Sequence, residues 1–275
     1  MTEAQAGPRW IPPTGPLGEL TRGSAERARA SEVDRVELIE RISAAPQAPS
    51  FVLALRGAQI CVIAELKRRS PSKGSINEDL AAGERAMAYE VGGAAALSVL
   101  TEHSRFGGSL DDLRDVRRSV QLPLLRKDFI TAPIQLLEAR AYGASAVLLI
   151  ARALEPARLE ELAGAAAALG LECLVEVRNE RELGLALAIA GAAIGVNNRD
   201  LETLEIDDAV GARLLPLVPP ERIAVYESGV RGIAEVERAA AAGADAVLVG
   251  SVLSNADDGA RAVRDLTGVP RHARA

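Results

Sequence analysis

The sequence predicts an α/β protein, a closed (β/α)8 TIM barrel with an extra N-terminal helical segment, on three observations. Eight short apolar runs recur along the chain, at 62–66, 95–99, 123–126, 146–150, 172–177, 193–196, 223–226 and 246–249. Their starts lie 21 to 33 residues apart, which leaves room in each interval for the crossover helix that parallel neighbours require. No GxGxxG follows the first run, so the open doubly wound sheet, the main structural rival, lacks its marking turn.

Residues 1–23, with Trp10, Pro12 and Pro13, are rich in Pro and Gly and predict a loose N-terminal extension. Residues 24–50 form the helical segment, in which 24–44 reads as one charged, amphipathic helix. The barrel is expected over 51–268, with 269–275 as a C-terminal tail. Ser75 ahead of Glu78 and Ser109 ahead of Asp112 stand at capping-box spacing, marking two helix starts. The segments YGASAVLLI and AGADAVLVG each pass from a Gly-Ala turn into a buried run, as a repeated helix-to-strand unit would.

Composition narrows the function. Hydrophobic residues make up 48% of the 275, enough for a large core. Aromatic residues are 3%, and 32 basic against 38 acidic residues give a net charge of −6. Neither stacking surfaces nor an electrostatic attraction to nucleic acid or membrane is present. Cys61 and Cys173 are far apart and sit in apolar runs; they read as buried, reduced thiols, and the chain as cytoplasmic. The first twenty residues carry no continuous apolar stretch, so no signal peptide is expected. The only histidines, His103 and His272, read as surface residues. They cannot supply a Ser-His-Asp triad or a His-rich metal site.

In a barrel enzyme the working groups follow the strands. Those positions hold Glu65, Lys67, Arg68, Arg69 and Ser70 after the first run, and Thr101 and Glu102 after the second. Lys127, Asp128 and Phe129 follow the third, Glu176 ends the fifth, and Asn197, Asn198 and Arg199 follow the sixth. Glu227 and Ser228 close the seventh, Gly250 and Ser251 the eighth. Glu65 and Lys67, two apart in a strand, point the same way. Arg68, Arg69, Asp128 and Glu102 read as solvated loop charges. Glu65, Glu176 and Glu227 adjoin apolar runs, where an unpaired carboxylate is costly and is retained for a partner or a task. Gly229 and Gly250 fall in the last two loops, the usual phosphate site of this architecture. A small anionic, phosphorylated ligand is therefore expected.

The segment 63–74, IAELKRRSPSKG, resembles the first-strand signature of the indole-3-glycerol phosphate synthase family. Further matches follow in the family's order: LSVLTE at 97–102, Phe106 with Gly108-Ser109-Leu110, LRKDF at 125–129, and LVEV at 174–177. IGVNNRDL at 194–201, ESGV at 227–230 and LVGS at 248–251 complete the set. The likeness spans roughly 25–265. It implies ring closure of 1-(2-carboxyphenylamino)-1-deoxyribulose 5-phosphate to indole-3-glycerol phosphate, with loss of CO2 and water. It implies no metal or organic cofactor, a small-molecule substrate as the only ligand, and a monomer or weak homodimer.

The same resemblance distributes roles. Lys127 is the general acid, with its pKa expected to be lowered by neighbouring cations. Glu176 serves the later dehydration, and Glu65 with Lys67 shares proton transfer. Asn197 and Glu227 hold the polar parts of the substrate. Arg199 and Ser70 face its carboxylate, and Ser228 adds a further contact. Phe106, Phe129, Leu201 and Leu248 wall the aromatic ring. Gly229, Gly250 and Ser251 take the phosphate with Lys67. The N-terminal helical segment is expected to pack near the barrel mouth. One departure is Tyr226, where the family has a small residue; strand parity turns it away from Glu227. The rivals are another phosphosugar barrel enzyme, such as the isomerase of the same pathway, and a non-catalytic barrel that binds a phosphorylated metabolite.

Overall fold

A computed structural model describes residues 10–31, 35–70, 74–75 and 81–274, with only the backbone of Ser70 included. The barrel consists of β1 (Cys61–Leu66), β4 (Ala96–Leu100), β5 (Leu124–Lys127), β6 (Ala146–Ile150), β7 (Glu172–Val177), β8 (Ala193–Asn197), β9 (Ala224–Glu227) and β10 (Ala246–Val249). These strands pair in parallel in chain order, and β10 closes on β1. Three of the eight expected runs match at both ends, and the rest differ by one residue. A short antiparallel ribbon, β2 (Arg69–Ser70) with β3 (Gly74–Ser75), follows β1.

Alternation of side chains along each strand divides the core in two. Ile63, Leu125, Leu148, Leu174, Val225 and Leu248 fill the barrel interior. Leu97, Val99, Val147, Val175 and Val247 face the helical layer. Tyr226 joins that outer layer, as parity predicts. Gly211 makes room for its ring: a Cβ there would stand 2.6 Å from Tyr226 Cε2.

The N-terminal region differs from expectation. It forms two helices, α1 (Gly15–Ala30) and α2 (Arg35–Ala44), and α1 starts within the stretch read as loose. Leu17 and Leu20 are buried in the barrel-interior cluster, so packing stabilises a turn that composition argues against. Short α3 (Phe51–Ala54) drives Phe51 into the same cluster. Ser75 is likewise not a helix cap. It pairs with Arg69 in the ribbon, and α4 runs Ala82–Val91; Glu78 lies outside the described residues. Ser109 does cap α5 (Leu110–Ser119), accepting from Asp112 N at 3.1 Å.

The segment read as a C-terminal tail is pinned to the barrel. Ile60 N donates to Val269 O at 2.8 Å, and Arg271 N to Ala58 O at 3.0 Å. Arg271 Nε and Arg274 Nη1 lie 2.7 and 2.9 Å from the carboxylate of Asp245, which is fully buried just ahead of β10. Two cations pair with this carboxylate, and the Ala224 amide N–H donates to its Oδ2 at 2.7 Å, so the buried charge is compensated. Among the described residues, no helix is long and apolar enough to cross a membrane.

Candidate active site

Strand register gathers the polar groups into one layer. Glu65 pairs with Ser98, Lys127 with Leu100, Glu176 with both Ile150 and Gly195, and Glu227 with Asn197. Following the pairings around the sheet, with the stagger of about one residue per strand typical of this barrel, places Glu65, Lys127, Glu176 and Glu227 at one height. They come from the alternate strands β1, β5, β7 and β9. Leu100, Ile150, Asn197 and Gly250 lie above them; Ser98, Leu148, Gly195 and Leu248 lie below.

Lys127 sits among the acids. Its Nζ is 3.6 Å from Glu176 Oε2 and 4.0 Å from Glu227 Oε2. Lys67 Nζ is 2.9 Å from Glu65 Oε1. Burial alone lowers an ammonium pKa, but Glu176, Glu227 and Glu65 outweigh it and raise that of Lys127. The expected lowering by neighbouring cations is therefore reversed: Arg126, adjacent in sequence, points to the helical layer, and carboxylates face Lys127. Burial opposes ionisation of Glu65, yet Lys67 and Lys127 together hold its pKa below the usual value. Burial and then Glu176 push Glu227 well above the carboxylate range, against the pull of Lys127.

The Glu227 shift has a sign that can be measured. The native state holds this proton more tightly than the unfolded chain does. Native stability therefore falls as pH rises from about 4.3, the free glutamate value, toward the raised native pKa. Glu227→Gln removes that loss. Its stability should match wild type near pH 4 and exceed it increasingly toward pH 8, by on the order of 1–3 kcal/mol. Thermal unfolding scans across that range check this; a constant difference would contradict it.

The charged layer borders a cavity of about 570 Å³, a size that suits a small-molecule ligand. Glu65, Lys67, Lys127, Asn197, Arg199, Glu227 and Ser228 reach it. Phe106 and Phe129, with ring centroids 6.3 Å apart, line it together with Leu201 and Leu248. Gly229, Gly250 and Ser251 also line it. Glu176 faces a side chamber of about 120 Å³ instead, which shares Asn197, Arg199 and Leu201 with the main cavity. Of the proposed site residues, Ser70 has a side chain outside the described residues.

The last two loops need their glycines. Ser228 and Gly229 have φ of 65° and 88°, the left-handed region that favours glycine. A Cβ on Gly250 would stand 2.3 Å from Glu65 Oε1 and 2.7 Å from Lys67 Nζ. Gly250 thus opens space for the tips of both charged side chains. Ser251 begins a short helix, Ser251–Ser254, whose first-turn N–H groups have no partner within the helix.

Sequence reading missed Pro16, Leu17 and Leu20 of α1, which cover the cavity, and Arg231, which lines it beyond Gly229. The first three lay in the stretch read as loose, and Arg231 stands past the immediate strand exit. Leu17 N donates to Leu201 O at 3.0 Å, and Ser24 Oγ to Phe129 O at 2.5 Å, so α1 is bonded to two cavity-wall residues.

Several charges read as solvated are not. Glu102 is fully buried and accepts from Ser104 N, Arg105 N and Phe106 N, fixing the loop that presents Phe106. Asp128 is buried and accepts from Arg126 Nη2 at 3.0 Å and Thr101 Oγ1 at 2.7 Å. Arg68 makes two bonds of 2.7 Å to Asp112. Arg69 is exposed, as expected.

A family model for indole-3-glycerol phosphate synthase matches residues 21–266. The chain belongs to the indole-3-glycerol phosphate synthase family. It is thereby one of a family of carboxy-lyases of tryptophan biosynthesis. It is 48% identical over 242 residues to indole-3-glycerol phosphate synthase 2 of Streptomyces coelicolor, covering 88% of this chain and 93% of that one. It is 49% identical over 245 residues to the synthase of Mycolicibacterium vanbaalenii, covering 89% and 90% respectively. Among solved structures, thiamine phosphate pyrophosphorylase from Pyrococcus furiosus superposes with a TM-score of 0.55 at 14% identity. It covers 75% of this chain and 93% of its own, a likeness of fold alone.

Proposed function

We propose that this chain closes 1-(2-carboxyphenylamino)-1-deoxyribulose 5-phosphate to indole-3-glycerol phosphate, releasing CO2 and water, by Lys/Glu acid-base catalysis in the cytoplasm. The observation that carries the mechanism is Lys127, an ammonium that lines the main cavity within 4.0 Å of two buried carboxyl groups. Its raised pKa keeps it protonated at neutral pH, the state a general acid needs. As the aromatic carbon attacks the substrate carbonyl, Lys127 gives its proton to the forming hydroxyl. Loss of CO2 restores the aromatic ring. Glu176 then serves the dehydration, and its contact with Lys127 lets the proton return.

The remaining groups bind and orient. Phe106, Phe129, Leu201 and Leu248 take the anilino ring, with Arg199 and Ser70 toward its carboxylate. Asn197, Glu227 and Ser228 hold the polar chain, while Glu65 shares proton transfer with Lys67. Gly229, Gly250 and Ser251 receive the phosphate, for which Lys67 beside Gly250 supplies a cation.

The test is direct. Purified protein given the carboxyphenylamino-deoxyribulose phosphate should develop indole fluorescence. Turnover of an isomerase substrate, or binding without turnover, would favour the rivals. Glu176→Gln should cut kcat by about 10²–10⁴-fold with KM changed little, as steady-state fluorescence kinetics will show. A defect confined to KM would count against its proton-transfer role.

A further inference from the structure

We infer that Gly195 is a positioning residue whose missing side chain forms the seat of the Glu227 carboxyl. The inference rests on the proposed role of Glu227 at the substrate.

On β8, Ala193 belongs to the interior cluster and Asn197 lines the cavity, so Gly195 between them also faces inward. It lies in the layer beneath the charged one, where Ser98, Leu148 and Leu248 contribute side chains and Gly195 does not. The Glu227 carboxyl fills that gap. A Cβ built on Gly195 would stand 2.0 Å from Glu227 Oε1 and 3.2 Å from its Cδ. The third neighbour is Leu174 Cδ1 at 3.3 Å, a contact that a small adjustment relieves.

Two further observations give the notch its meaning. Gly195 is not among the residues with positive φ, so its backbone imposes no need for glycine; only the space does. Glu227 Oε1 is buried with no hydrogen-bond partner. On that side no donor holds the carboxyl, and shape does. The other oxygen faces Lys127 at 4.0 Å. A methyl group at 195 therefore pushes the carboxyl up into the cavity, away from this arrangement. The displaced atoms are the far end of a flexible side chain beside open space, so the barrel itself tolerates the change.

The test is a double-mutant cycle read by indole fluorescence and thermal unfolding. Gly195→Ala should lower kcat by about 100-fold, the scale of a 1 Å misplacement, with a smaller change in KM and little loss of melting temperature. Its pH–rate profile should shift toward acid, because the carboxyl leaves the buried site that raises its pKa. Glu227→Ala should itself be slow, and adding Gly195→Ala to it should change turnover less than twofold, because no carboxyl remains to displace. An equal loss in both backgrounds, or near-normal turnover of Gly195→Ala, would overturn the inference while leaving the role of Glu227 intact. Unfolding of both Gly195→Ala variants would also overturn it, by tracing the effect to Leu174. Wild-type rates for Glu227→Ala would instead remove the underlying reading of Glu227, and this inference with it.

Discussion

Lys127→Ala should lower turnover by about 10²–10⁴-fold, the contribution expected of one general acid, with the protein still folded. The ammonium has burial against it and three carboxylates for it, and the carboxylates prevail. Because the pKa is raised, Lys127 remains charged through neutral pH. Any alkaline limb of the wild-type rate profile below about pH 10, near the free lysine value, must then come from another group. Removing the cation leaves Glu65, Glu176 and Glu227 to repel one another, so the variant should also lose stability as pH rises. Turnover at saturating substrate, with circular dichroism as the folding control, checks the first claim. Near-normal rates would end the general-acid assignment.

Arg126→Met should have the larger effect on stability and a small one on chemistry. The two neighbours, Arg126 and Lys127, lie on opposite faces of β5. Arg126 is 3% exposed. It bonds Gln135 O at 2.6 Å, Thr101 Oγ1 at 3.1 Å, and the carboxylates of Asp128 and Glu138 at 3.0 Å each. Methionine fills similar volume but leaves two buried acids without their cation, a loss of about 3–5 kcal/mol. At roughly 2–4 °C per kcal/mol for a chain of this size, the melting temperature should drop by several degrees or more. Turnover measured well below that temperature should stay within a fewfold of wild type. An unchanged melting temperature would show that Asp128 and Glu138 find other partners.

The strands were legible because a parallel barrel buries both faces of each strand, leaving short apolar runs between polar exits. The convergence of Glu65, Lys127, Glu176 and Glu227 followed from that frame, since each ends or adjoins such a run. The environment of Lys127 did not follow. Its sequence neighbour is a cation on the other face, whereas its spatial neighbours come from β1, β7 and β9. Asp128 and Glu102 were misread for a related reason. A charge after a strand is commonly solvated, and only distant partners, Glu138 on α6 (Pro133–Ala141) and the backbone of the Phe106 loop among them, reveal otherwise. The start of α1 was hidden because Leu17 and Leu20 gain their stability from the barrel they cover. Gly195 was invisible in sequence, as one glycine within an ordinary apolar run.

The link of Asp245 to Arg271 and Arg274 bears on how the barrel is made. The β1–β10 seam joins Cys61 to Ala246, so the ring cannot close during synthesis until β10 has emerged. Arg271 and Arg274 arrive later still, and they neutralise the carboxylate at the base of that seam. Until then β1 presents an open edge, and the nascent protein is exposed to mispairing there. Closure of the ring and burial of Asp245 are thus tied to a single late event.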